Sequence, residues 1–367
     1  MQNKIIYIAE FSLPNMSAYA VHVLKICDSF SHNNKVELLI PFCSNSYNFK
    51  KIQNDYLLKN NFKIKSMFNS KVKNNIFHRV LFSLKIFNYF KKIKFNMIIT
   101  RAIIPSLILS FLNHKNILEL HSEITGLSKH LFKLINLKRI NKNLKFIVLN
   151  SKLIKILQIK SNKICILEDA VEINDFSKRN FKTKLLQCAY SGSFAKGKGL
   201  ETIYAIANKA PKIEFHIFGN INTLDESLLK KKVPKNVKFM GFFNYKTICK
   251  TLPKYKILLM PYQKKVGVLI KKIDVSSYFS PLKLFEYMAS GRIIIASDLG
   301  VYKNILKNKH NSITLSPKNI NKWVKMINAI LRSEKYNHLG NNAKKDVKKY
   351  SWNNRANKII AFNEHKQ

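Results

Sequence analysis

SPLKLFEYMASGRIIIASDLG, residues 280–300, reads as a helix running into a buried strand, and the rest of the chain is read outward from it. Ser280 suits an N-cap, Pro281 a first helical position, and Gly291 a helix end. Leu282, Phe285 and Met288 or Ala289 share one apolar face. Glu286 falls among them, where a carboxylate is costly unless it is paired or bound. Ile293–Ala296 then forms an apolar strand.

A second informative stretch lies upstream: YSGSFAKGKGLE, residues 190–201. It follows the strand Leu186–Tyr190 and opens the helix Leu200–Asn208. Glycines allow close backbone approach to a ligand, and a helix start offers unpaired N–H groups and the positive end of the dipole. With Lys198 added, the turn suits a diphosphate.

Around these stretches, short apolar runs alternate with amphipathic ones. Strands are expected at Ile5–Ala9, Val36–Ile40, Met97–Thr100, Ile117–His121 and Phe146–Asn150, and a short apolar run follows at Ile164–Leu167. In the second half they are expected at Glu214–Phe218, Val237–Met240 and Ile257–Met260 as well. Near-continuous apolarity is the mark of parallel strands covered on both faces. Helical periods at Ala20–Phe30, Phe77–Phe90 and Ile320–Leu331 complete a β-α-β rhythm. The rhythm pauses in the polar run Glu168–Lys184. The division is therefore a first Rossmann-like domain over 1–170, a linker over 171–184, a second such domain over 185–350, and a C-terminal helix over 351–367 returning to the first.

The 367 residues suit two domains, and 46% hydrophobic content supports real cores. The net charge is +45, from 65 Lys and Arg against 20 Asp and Glu. Such a field attracts anionic surfaces. Tyr56–Leu118 and Ile124–Leu167 contain no acidic residue. Within the first, Phe77–Lys94 mixes Phe77, Leu81, Phe82, Ile86, Phe87 and Phe90 with five Lys and Arg, a pattern suited either to a lipid headgroup layer or to a packed helix with a solvated basic face. The five scattered cysteines form no C-x-x-C pair, which fits a reducing cytosol. The start of the chain reads as a strand rather than a signal peptide, and Met97–Leu112, broken by Arg101 and Pro105, is too short to span a membrane.

The run at 280–300 resembles the donor-site signature of family-four retaining glycosyltransferases, the group 1 glycosyl transferases with the GT-B fold. YSGSFAKGKGLE is similar to their glycine-lysine turn. LEDAVEINDF, NVKFMGFFNY, LLMPY and KKYSWNNRANKI follow the family's order. The resemblance covers the second half in register and the first more loosely. It implies an α/β chain of two doubly wound Rossmann-like domains facing each other across a cleft.

By the same resemblance, Lys198 holds a nucleotide-sugar diphosphate and Glu286 the nucleotide ribose. Gly192, Ser193, Lys196, Ser280, Pro281, Leu282 and Lys283 surround the donor. His121, at a strand end, lies near the donor sugar, and Ser17, Ala18 and His22 lie on the acceptor side. The family's frequent first glutamate is here Tyr278 and its arginine is Ser193; Lys196 stands near enough in sequence to replace that charge. The implied enzyme is a metal-independent, retaining transferase without cofactor. It would serve bacterial capsule, lipopolysaccharide or O-antigen synthesis, with a glycan or lipid-linked acceptor. The chain is expected in the cytoplasm, peripheral on the anionic inner membrane face.

Rival readings are a basic nucleic-acid-binding protein, which has charge but no recognisable module, and a GT-B-type sugar-nucleotide epimerase. A dehydrogenase is disfavoured because no G-x-G-x-x-G follows the first strand. No D-x-D pair or metal-spaced His/Cys cluster occurs, so no metal is expected.

Overall fold

The structure, a computed structural model, describes residues 3–73, 75–91, 93–176, 186–229, 232–267 and 281–364. The chain forms two compact units: Met1–Ala170 with Trp352–Gln367, and Val171–Ser351. Each is a Rossmann-like α/β unit built on a parallel sheet.

The first unit has strands β1 (Lys4–Ile8), β2 (Lys35–Ile40), β3 (Lys63–Ser66), β4 (Met97–Thr100), β5 (Asn116–Leu120), β6 (Leu144–Val148) and β7 (Ile164–Ile166). Their order is β3-β2-β1-β4-β5-β6-β7, with parallel pairing throughout the described residues. The isoleucine-rich centres are buried because helices cover both faces. Strand order reverses between β1 and β4. Connections leaving their C-terminal ends diverge there and open a crevice, the usual ligand position in such sheets.

The helix Ile76–Phe90 starts at Asn75, whose side chain accepts from His78 N. Phe82, Ile86 and Phe90 point inward and pack with Ile6, Ile8, Leu39, Ile98, Ala102 and Leu109. These three residues are therefore core and unavailable to lipid, in line with the packed-helix reading of the segment. The outward stripe carries Ile76, Phe77, Val80 and Leu84. Met97–Leu112 resolves into β4 and the nine-residue helix Ile103–Phe111. Among the described residues no helix is long and apolar enough to cross a membrane. The C-terminal helix Trp352–Glu364 packs on the Ala18–Phe30 helix within this same unit.

The second unit has β8 (Leu186–Ser191), β9 (Phe215–Phe218), β10 (Val237–Gly241), β11 (Tyr255–Met260), β12 (Ile293–Ser297) and β13 (Ile313–Leu315). The order β10-β9-β8-β11-β12-β13 puts its reversal between β8 and β11. Of the expected linker, Val171 bridges to Ser351 and Asp175 accepts from Tyr245 Oη at 2.8 Å, both inside this unit. Residues 177–184 lie outside the described ones.

The Leu282–Ser290 helix begins one residue later than its sequence suggests. Pro281, with φ −77° and ψ 125°, is extended and occupies the cap position. Ser280 and Tyr278 lie outside the described residues. The buried side is Leu284, Phe285, Tyr287, Met288 and Ala289, while Leu282 and Glu286 are half-buried at its margin. Glu286 thus edges the apolar face rather than sitting inside it.

The assignment of the 76–90 faces predicts a contrast. Phe82→Ala should cost about 3–5 kcal/mol in urea unfolding, as for a core aromatic, whereas Phe77→Ala should change stability by no more than about 0.5 kcal/mol. Equal effects would reverse the faces.

Candidate functional site

The β8/β11 crevice of the second unit gathers most of the expected donor residues. Gly192 follows β8 with φ +147°, and a Cβ built on it would collide with Lys283 Nζ. Gly199, φ +95°, precedes the Leu200–Lys209 helix; a Cβ there would strike the Pro261 carbonyl just after β11. These glycines let the turn after β8 lie against the turn after β11 and the start of the 282–290 helix. Tyr287 holds that helix to the sheet, its hydroxyl accepting from Ser191 N at 2.8 Å. Tyr190 Oη donates to the Ser193 carbonyl at 2.8 Å, closing the turn.

Two lysines share this space. Lys283 Nζ lies 3.8 Å from the centre of the Tyr190 ring and 5.0 Å from that of Tyr262. Lys198 Nζ lies 5.1 Å from the Tyr262 centre. The tip of Lys283 is buried and finds no hydrogen-bond partner among the described residues. Burial pushes the Lys198 ammonium down to about 8. Burial, then repulsion from Lys198, holds Lys283 well below the usual lysine range, opposed by the Glu286 charge. That charge also adds to the burial-driven rise of the Tyr245, Tyr262 and Tyr287 phenols. Glu286 therefore faces the same space. The N–H groups of Leu282 and Lys283 lack intrahelical acceptors by construction, while Leu284 N donates to the Pro281 carbonyl at 2.9 Å. The arrangement is one for receiving an anion with hydroxyls beside it. Lys196 is exposed, and its carbonyl accepts from Gly267 N.

In the first unit, Ser17 caps the Ala18–Phe30 helix by accepting from Ala20 N, and both Ser17 and Ala18 are exposed. His22 is different: it is buried, with Nδ1 2.7 Å from Asp169 Oδ1 and Nε2 3.0 Å from Glu119 Oε1. It does not present itself to an acceptor. His121, just past β5, places Nε2 2.8 Å from Glu119 Oε1 and stands edge-on to His22 with ring centres 4.6 Å apart. Burial, with the Arg101 charge, lowers His121 to about 4, so the ring is neutral at pH 7.

Sequence spacing suggests no metal cluster, yet folding brings one ligand atom each of His22, Glu119 and His121 within 4.8 Å of one another. Arg355 Nη2 already contacts Glu119 Oε1. That carboxylate oxygen thus already faces a cation, and we read the trio as part of an ionic network. Glu119, Asp169, Arg355, Tyr190 and Tyr262 were not singled out from sequence. The available signal was Glu119 itself, a carboxylate inside an apolar strand.

Residues 171–346 match the family described as Glycosyl transferases group 1. A curated relative, an uncharacterized glycosyltransferase of Methanocaldococcus jannaschii, is 28% identical over 141 residues, 37% of this chain and 32% of that protein. The matching part thus spans about a third of the relative's length. Among solved structures, the fold is similar to a glycosyltransferase from Rickettsia africae (TM-score 0.73, 13% identity, 99% and 98% of the chains covered). It is also similar to Anabaena HepE in complex with UDP and glucose (0.72, 12%, 98% and 98%). WaaG, a glycosyltransferase involved in lipopolysaccharide biosynthesis, matches at 0.62 with 11% identity over 97% and 99%. These likenesses identify the fold as GT-B.

Gly192→Ala should weaken binding of a nucleoside diphosphate by about 10-fold or more, since the new methyl displaces Lys283 and strains a positive-φ residue. Unchanged affinity, measured calorimetrically on folded protein, would show that the anion does not meet this turn.

Proposed function

We propose that this chain, whose residues 171–346 form a domain of the group 1 glycosyl transferases, moves a sugar from a nucleotide-sugar donor to a glycan or lipid-linked acceptor. The observation that carries the reading is the buried tip of Lys283, without a hydrogen-bond partner among the described residues, beside Lys198 and offset only in part by the Glu286 charge. HepE is described in complex with UDP-glucose, which supports a donor of that class.

In this reading the bond between the anomeric carbon and the diphosphate oxygen breaks and its electron pair leaves with the diphosphate. Lys198, Lys283 and the 282–290 helix start compensate the developing charge in a water-poor space. Glu286 accepts from ribose hydroxyls. Gly192, Ser193, Pro281 and Leu282 shape the backbone around the phosphates. His121 recognises a sugar hydroxyl, and Ser17 and Ala18 meet the acceptor. The acceptor hydroxyl attacks from the face the diphosphate leaves, through an oxocarbenium-like state, with retention, and passes its proton to the departing diphosphate oxygen. No metal or cofactor is assigned a part.

Surface polysaccharide synthesis at the inner face of the cytoplasmic membrane is the setting we favour. WaaG's description supports the lipopolysaccharide direction. The outward stripe Ile76, Phe77, Val80 and Leu84 supports membrane contact, Phe77 being 64% exposed, in a segment that carries cations and no Asp or Glu. Nucleic acid is not among the proposed partners.

Lys198→Ala and Glu286→Ala should each lower donor turnover by at least about 100-fold with the fold intact. Wild-type activity should survive EDTA, and product analysis should show retention. Near-normal transfer in both variants would remove the site assignment, and release of an altered sugar nucleotide without acceptor would indicate an epimerase. Paired Val80→Glu and Leu84→Glu should abolish co-sedimentation with anionic vesicles. Undiminished co-sedimentation would rule out this face.

A further inference from the structure

The geometry points to Glu119 and Arg355 as positioning residues that fix which nitrogen of His121 is turned toward a substrate. The inference deepens the reading of His121 given above and rests on it for its kinetic consequence, but not for its structural one.

Glu119 is a carboxylate with no solvent contact, in the middle of β5. Burying such a charge costs several kcal/mol unless donors converge on it. They do: Tyr7 Oη donates to Oε2 at 2.9 Å, while His121 Nε2 at 2.8 Å and Arg355 Nη2 both meet Oε1. Arg355 is also anchored through Nη1 to the Glu168 carbonyl. The attraction of His22 and Arg355 and the hydrogen bonds from both histidines outweigh the cost of burial and hold the Glu119 carboxyl well below its usual range. An ionised carboxylate only accepts hydrogen bonds. His121 must therefore carry its proton on Nε2. A neutral ring has one N–H, so Nδ1 is left as an acceptor.

Nδ1 has no competing partner in the cluster. Asp169 Oδ1, an acceptor too, lies 4.0 Å away and is already engaged by His22 Nδ1 at 2.7 Å. The groups facing His121 are thus Glu119, Asp169, His22 and the more distant Arg101. His121 is also the accessible member of the trio, with a side chain 13% exposed against 0% for Glu119 and 1% for His22. The chemistry offered outward is a neutral imidazole acceptor for a hydroxyl donor.

Arg355 comes from the Trp352–Glu364 helix, 236 residues from Glu119 in sequence. Trp352, from the same helix, stands edge-on to His22 with ring centres 5.0 Å apart. Docking of this terminal helix in the first unit therefore adds the Arg355 charge to that of His22 in keeping Glu119 ionised. Without Arg355, the buried carboxyl takes up a proton more readily and can donate to His121 Nε2. That would move the ring proton to Nδ1 and turn an acceptor into a donor.

The test is imidazole nitrogen NMR on full-length protein with labelled histidine, read alongside steady-state kinetics. Wild type should show His121 protonated on Nε2 at pH 7. Arg355→Met should bring in the Nδ1–H form and lower kcat about 10- to 100-fold with the donor KM little changed, and Arg355→Lys should restore most of both. Glu119→Gln, close in volume, covers the case in which Arg355→Met does not fold, and should likewise release the tautomer and lower kcat. A wild-type ring protonated on Nδ1 overturns the proposal. So does a released tautomer with normal kcat, or equal losses for Arg355→Lys and Arg355→Met. Should no form turn over any donor, the transferase reading fails while the wild-type spectrum still decides the tautomer.

Discussion

A lysine tip buried without a hydrogen-bond partner among the described residues, with Lys198 beside it and the Glu286 charge facing it, is the constraint around which the second unit is arranged. Removing an ammonium from water costs several kcal/mol even after relaxation. The Tyr190 and Tyr262 rings around Lys283 return about 0.5–2 kcal/mol as cation–π contacts. Lys198 nearby makes matters worse, since like charges repel. The shortfall has to be met by stability elsewhere, in the buried apolar centres of β11 and β12. In the proposed function a diphosphate would relieve it, so that stability given up at this crevice would reappear as affinity. Gly192 and Gly199 follow from the same demand, since side chains there would fill the space or push its walls apart.

The first unit treats buried charge in the opposite way. Glu119 and Asp169 face Arg355 and His22 inside one unit, and each carboxylate has donors at hydrogen-bond distance. That cluster needs no ligand to be stable. What it offers outward is a single neutral nitrogen on His121. The two crevices thus differ in chemistry: one buries a lysine tip without a hydrogen-bond partner among the described residues, the other an ionic cluster whose carboxylates have donors.

Much of this can be read from the chain because parallel strands covered on both faces must be apolar throughout. Ile5–Ile8 and Ile293–Ala296 announce themselves in that way. β3 and β13 do not: KIKS is an edge strand carrying two lysines, and ITL has three residues. The 76–90 helix was visible, but two of its stripes are apolar, and only packing shows that Phe82, Ile86 and Phe90 face the core. For the second crevice, the glycines, Lys198 and Glu286 were evident from local spacing. The aromatic walls were not, because Tyr190 and Tyr262 belong to different strands' ends. The first cluster was least accessible of all. Tyr7, His22, Glu119, Asp169 and Arg355 share no spacing and meet only through topology.

On the proposed reading, Lys198 and Lys283, held low by burial, are the groups whose charge a bound diphosphate would restore. Binding of a nucleoside diphosphate to the full chain, followed by calorimetry at about pH 8.5 in buffers of different ionisation enthalpy, measures the protons exchanged. Lys198, lowered to about 8, is then largely unprotonated. An arriving anion raises its affinity for a proton, and that of Lys283 with it. The account predicts net proton uptake that disappears in a Lys198→Met, Lys283→Met double variant. Binding with no proton exchange, or uptake that persists in that variant, would contradict it.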